Sequence, residues 1–189
     1  MDAGVKKGII ESVKGSIVSA ITGSGDIVNA VADTIFGTVN NLAKDAGKTG
    51  VALIGSLHDV IEASISGVVE TGKDLGNAVK GIVIGTLKGV GSTGEEAYSA
   101  IGALASSVIK TTANTGGDVA SATQGLISGV VHSAKHLGVD AEKAVSEAAT
   151  GAVKAGYEIG AEVGDKVKQA ATGTIGGVKV VLKEPFQKK

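Results

Sequence analysis

The segment Thr71-Gly72-Lys73-Asp74-Leu75-Gly76-Asn77-Ala78-Val79-Lys80-Gly81-Ile82-Val83-Ile84-Gly85-Thr86-Leu87-Lys88-Gly89-Val90-Gly91-Ser92-Thr93-Gly94 decides how this chain is read. It runs from one Thr-Gly pair to the next. Gly50, Gly72, Gly94, Gly116, Gly138 and Gly160 follow one another at an unbroken interval of 22 residues. Thr49, Thr71, Thr93 and Thr115 precede the first four. Three apolar columns keep the same step: Val60, Ile82, Leu104, Leu126, Ala148 and Ala170; Ile61, Val83, Ala105, Ile127, Ala149 and Ala171; Ile65, Leu87, Ile109, Val131, Val153 and Ile175. A polar column, Lys88, Lys110, His132 and Lys154, repeats with them. The register extends back through Val31, Ile35, Val39 and Leu42, then Ile9, Val13, Ile17 and Ile21.

Twenty-two residues make six turns at about 3.67 residues per turn, twice the 11-residue helical repeat. At about 98° per residue the apolar positions cover an arc of roughly 130°, the pattern of an amphipathic helix. A strand alternates with period 2. Gly81-Ile82-Val83-Ile84-Gly85 is strand-like in isolation, but the long-range period is helical. The expected fold class is all-α, with residues 1–181 as one helical repeat region and 182–189 as a basic tail.

Two architectures fit this period. In one, each boundary turns. Thr71-x-x-Asp74, Thr93-x-x-Glu96 and Thr115-x-x-Asp118 then act as capping boxes, and Gly91 and Gly138 act as C-terminal caps, with Asp140 opening the next helix. In the other, helices run through the boundaries, since no proline precedes Pro185 and the apolar phase never slips. The fixed register favours this second form, up to about 280 Å long at 1.5 Å per residue, with right-handed supercoiling.

Composition narrows the function. The 189 residues weigh 18.5 kDa and include 30 glycines, 2 Phe, 2 Tyr and no Trp, so any core is thin and aliphatic. Each glycine costs about 0.8–1 kcal/mol against alanine inside a helix. A lone helix of this composition is therefore poorly formed and needs a surface or partner helices. There are 18 lysines, no arginine and 19 acidic residues, which argues against nucleic-acid binding. Cysteine is absent, removing disulfides and thiolate chemistry. No signal core or spanning segment is evident, so an intracellular location, peripheral to a membrane or lipid body, is expected.

No catalytic, metal or cofactor residues are expected, nor a small-molecule substrate. His132 and His136 have the i, i+4 spacing of metal ligands, but His132 occupies a lysine column of a solvated face. His58-Asp59 with Glu62 is read as an exposed polar stripe, and Glu95-Glu96 as a helix start. The Gly89–Gly94 run lacks the preceding strand and the lysine of a phosphate loop. The column Gly85, Gly129, Gly151 and Gly173 has two readings: small residues tolerated on the polar side, which is the simpler, or close approach of helices. Lys179, Lys183, Lys188 and Lys189 have two readings, a solvated tail, which is the simpler, or a tether to an anionic surface.

Thr71–Gly81 and Gly129-Val130-Val131-His132-Ser133-Ala134-Lys135 resemble the perilipins, and more loosely the exchangeable apolipoproteins and synucleins. The synuclein-type Lys-Thr-Lys-Glu-Gly-Val core is missing; Gly47-Lys48-Thr49-Gly50-Val51 comes nearest to it. The resemblance implies association with lipid surfaces.

The leading expectation is a non-enzymatic protein that lays its apolar stripe on a lipid or membrane surface. That stripe comprises Leu53, Leu57, Val60, Ile61, Ile65, Leu75, Val79, Ile82, Val83, Leu87, Ile101, Leu104, Ile109, Leu126, Ile127, Val130 and Val131. The alternative is a structural scaffold, a bundle, stalk or hydrophobic-lined tube, in which the same stripe packs on partner helices of other copies or of the chain itself. A stress-protective disordered chain is a weaker third reading, because 43% apolar residues and a mean hydropathy of +0.28 suit disorder poorly.

Overall fold

A computed structural model describes residues 3–46, 57–91 and 94–183. They form α1 (Ala3–Gly23), α2 (Ile27–Ala46), α3 (His58–Thr71), α4 (Leu75–Val90), α5 (Glu95–Asn114), α6 (Val119–Leu137), α7 (Ala141–Ile159) and α8 (Ala161–Ala170). A small antiparallel pair follows, β1 (Thr174–Ile175) and β2 (Val178–Lys179). The protein is all-α.

The boundaries among the described residues turn, which corrects the expectation of helices running through them; the one at Gly50 lies outside the described residues. At the end of α6, Gly138 has φ 64°, ψ 35°, a left-handed conformation that a Cβ would penalise. Its N–H reaches the Lys135 carbonyl at 3.4 Å, and the Val139 N–H reaches Ala134 at 3.2 Å, closing the helix. Asp140 then accepts the Lys143 N–H at 2.8 Å and starts α7. α3 and α4 end on Gly72 and Gly91 in the same conformation.

The capping boxes are also revised. The N-cap is the aspartate itself. Asp74 accepts from Asn77 N–H at 3.0 Å, and Asp118 from Ala120 N–H at 3.0 Å. The threonines close the preceding helix instead: Thr71 Oγ1 donates to Val68 at 2.7 Å, and Thr115 Oγ1 to Thr111 at 2.9 Å. The two helices therefore start three residues later than the boxes place them. Thr93 lies outside the described residues.

The helices stack in two layers. α1, α3, α5 and α7 lie side by side in one; α2, α4 and α6 lie side by side in the other, with α8 at the end against α6 and α7. Successive helices mostly alternate between layers, so neighbours within a layer run parallel. Along α2 and α4, Gly81 sits on Val28, Gly85 on Ala32 and Gly89 on Val39. Along α5 and α7, Glu95 meets Lys143, Gly102 meets Gly151 and Lys110 meets Glu158.

The helical part ends at Ala170 rather than near residue 181. Gly173, Gly176 and Gly177 all have positive φ and turn the chain into the β1–β2 hairpin. Residues 180–183 then strap across α7: Ser146 Oγ donates to the Val181 carbonyl, the Lys183 N–H to Thr150 Oγ1 at 3.1 Å, and Lys183 Nζ pairs with Glu147.

Candidate functional site: the apolar stripe and the glycine contacts

The apolar stripe faces inward between the layers. Leu57 (just before α3), Val60, Ile61 and Ile65 bring it from α3; Val79, Ile82, Val83 and Leu87 from α4. α5 adds Ile101, Leu104 and Ile109, and α6 adds Leu126, Ile127 and Val130. None of these is more than 3% exposed. Leu75 and Val131, at the stripe's edges, are half-buried, and Leu53 lies outside the described residues. All the described stripe positions therefore join one core cluster. In this closed arrangement they offer no continuous exposed face.

α7 completes that core with small residues: Ala144, Ala148, Ala149 and Ala152 are fully buried. Two aromatic positions that the periodicity does not single out fix its ends. Tyr98 Oη accepts the Asp140 N–H at 3.0 Å while the Lys143 ammonium lies 4.0 Å above its ring. Tyr157 Oη donates to Asp165 at 2.7 Å and ties α7 to α8. Neither has the 22-residue period, so only its amphipathic character could have drawn attention to it.

Between α2 and α4, α4 and α6, and α5 and α7 the contact is backbone on backbone. A Cβ at Gly81 would lie 2.6 Å from the Val28 carbonyl oxygen, at Gly85 2.4 Å from that of Ala32, and at Gly125 2.1 Å from that of Gly76. Gly151 is 2.7 Å from the Gly102 oxygen on the same measure. These distances leave room for hydrogen only. Gly85, Gly129 and Gly151 therefore serve close approach, not mere tolerance of small residues on a polar side; Gly173 is a turn residue. The i, i+4, i+8 spacing of Gly81, Gly85 and Gly89 is the sequence signal for this.

Three ion pairs join helices within a layer: Lys14 with Glu70 (α1–α3), Lys110 with Glu158 at 2.7 Å and Lys143 with Glu95 at 2.9 Å (both α5–α7). The Glu95 carboxylate beside Lys143 holds that ammonium above its usual pKa. Between layers the joint is almost wholly aliphatic.

The remaining chemistry is superficial. The His132 and His136 rings are exposed with centroids 6.3 Å apart, and no set of three His, Cys, Asp or Glu among the described residues is placed to hold a metal. His58 Nδ1 lies 3.2 Å from Ser107 Oγ, linking α3 to α5. A shallow polar groove of about 270 Å³ lies over the Gly76–Gly125 crossing. Its Asp74 and Ser121 are already engaged in helix caps. No helix among the described residues is long and apolar enough to cross a membrane. No protein-family model matches the chain, and no curated protein matches it.

Proposed function

We propose that this protein is a non-enzymatic structural module, a stack of helix pairs whose own repeats take the place of partner helices. One observation carries the reading: the described stripe residues are buried inside the chain, almost all of them to within 3% of complete. Apolar burial is worth about 25 cal/mol per Å². The same stripe on a lipid surface would therefore first have to give up these contacts. The glycine-on-carbonyl packing of α2, α4 and α6, and of α5 with α7, makes close-knit rows of parallel helices suited to bearing other components.

Binding a lipid surface through the stripe is the second reading. It is favoured by the separation of forces, with ion pairs and backbone contacts inside layers and aliphatic contacts between them. Layers could part along that joint with their internal contacts kept, laying the stripe open. The perilipin-like repeat texture points the same way.

Circular dichroism over a hundredfold range of protein concentration, with and without neutral liposomes, separates the two. Full helicity in buffer without lipid supports the self-packed stack. Helix that appears only with liposomes overturns it in favour of the lipid surface.

A further inference from the structure

Gly37, Gly81 and Gly125 stand at intervals of 44 residues on α2, α4 and α6, three successive helices of one layer. Gly81 lies against the Val28 carbonyl of α2, and Gly125 against the Gly76 carbonyl of α4. Gly37 meets nothing within 4 Å. α2 packs along α4 on one side, and among the described residues no helix of this layer lies on its other side. At the other end of the stack, α8, the hairpin and the strap cover α6 and α7, with Gly176 against Val131.

The α2 face around Gly37 carries a charge pattern as well as space. Ala30, Asp33, Gly37, Asn41 and Lys44 are spaced by three or four residues and share one face. Asp33 and Lys44 are exposed and make no ion pair among the described residues. Phe36, beside them, is 40% exposed, an unusual state for one of only two phenylalanines.

We propose that this face docks a second copy of the chain, α2 against α2 in antiparallel two-fold pairing centred on Gly37. In that pairing, positions equidistant from Gly37 face each other. Asp33 of one copy then falls within one helical turn of Lys44 of the other, and the two-fold axis makes this contact twice. The glycine lets the backbones approach as Gly81 and Gly125 do inside the chain, and Phe36 gains cover at the rim. The capped far end leaves the dimer closed rather than open-ended.

The test is the mass of the full-length protein by sedimentation equilibrium and light scattering, from micromolar to several hundred micromolar. A dimer is expected whose dissociation constant rises with salt. Gly37→Leu points into space free of the described residues, so helicity is expected to be retained, and it is expected to give a monomer. Asp33→Lys is expected to weaken the dimer about tenfold or more, and adding Lys44→Asp to restore it. A wild type that stays monomeric throughout, or association that continues beyond the dimer, overturns the proposal. So does a Gly37→Leu variant that remains dimeric. Failure here leaves the self-packed stack intact, because that is read from helicity and not from mass.

Discussion

Replacing Gly125 by alanine sets two magnitudes against each other. Gly125 lies inside α6, where alanine is worth about 1 kcal/mol over glycine in helix propensity. Its added Cβ would lie 2.1 Å from the Gly76 oxygen and 2.9 Å from the Gly76 carbonyl carbon. Ordinary contact begins at 3.4 Å, so α4 and α6 must part by roughly an ångström at that point. Both atoms met are backbone, and no rotamer change relieves the clash. Overpacking costs about 1–3 kcal/mol, and the rigid neighbour places this case at the upper end. The net expectation is a loss of about 1–2 kcal/mol. Gly15→Ala is the internal control: it is helical, exposed and meets nothing within 4 Å. There the propensity term stands alone, and stability should rise by up to about 1 kcal/mol. Urea unfolding followed by far-ultraviolet circular dichroism gives both changes as shifts in Cm at constant slope. A Gly125→Ala protein as stable as the wild type, or more so, would refute the account of layer packing.

Other expectations follow from the caps, the core and the surface. Thr112 is fully buried and its Oγ1 has no partner among the described residues, so Thr112→Val should raise stability by about 1 kcal/mol; an unchanged or lower Tm counts against this. Ile101→Ala removes a fully buried stripe residue and should cost about 2–5 kcal/mol in urea unfolding. The Asp118 carboxyl is held below its ordinary pKa by the Ser121 hydroxyl, against a smaller opposing effect of burial, with further help from the Ala120 and Ser121 N–H groups and Lys166. Its folded pKa thus lies under the unfolded one. The stabilisation is present above the ordinary carboxylate range and disappears as pH falls through the lowered value. Asp118→Asn keeps a capping oxygen but should flatten this acid-side fall in Tm; an identical pH profile would contradict it. Lys166→Ala, which breaks an exposed i, i+4 pair with Glu162, should change Tm by no more than about a degree or two.

The amino-acid pattern alone determined the helical class, the direction in which each helix buries its side chains, and the absence of aromatic bulk. A 22-residue register with apolar residues on one arc allows nothing but helices with a shared apolar stripe, and that stripe is the core observed from Leu57 to Val131. Gly138 and Asp140 were legible as an end and a start because their chemistry acts over only a few residues. The choice between turning and continuing at the boundaries was not legible. An unbroken period is equally natural to one long helix and to helices stacked in phase.

Only the tertiary structure decided that choice, since it depends on where the buried surface comes from. The chain turns because Val28 and Gly76 offer carbonyls that Gly81 and Gly125 can reach, contacts between residues about fifty apart in sequence. The same folding back sets Tyr98 under Asp140 and pairs Lys110 with Glu158. A periodic sequence specifies the face of each helix through local geometry, whereas the neighbour that covers it is selected by the global competition among all equivalent faces.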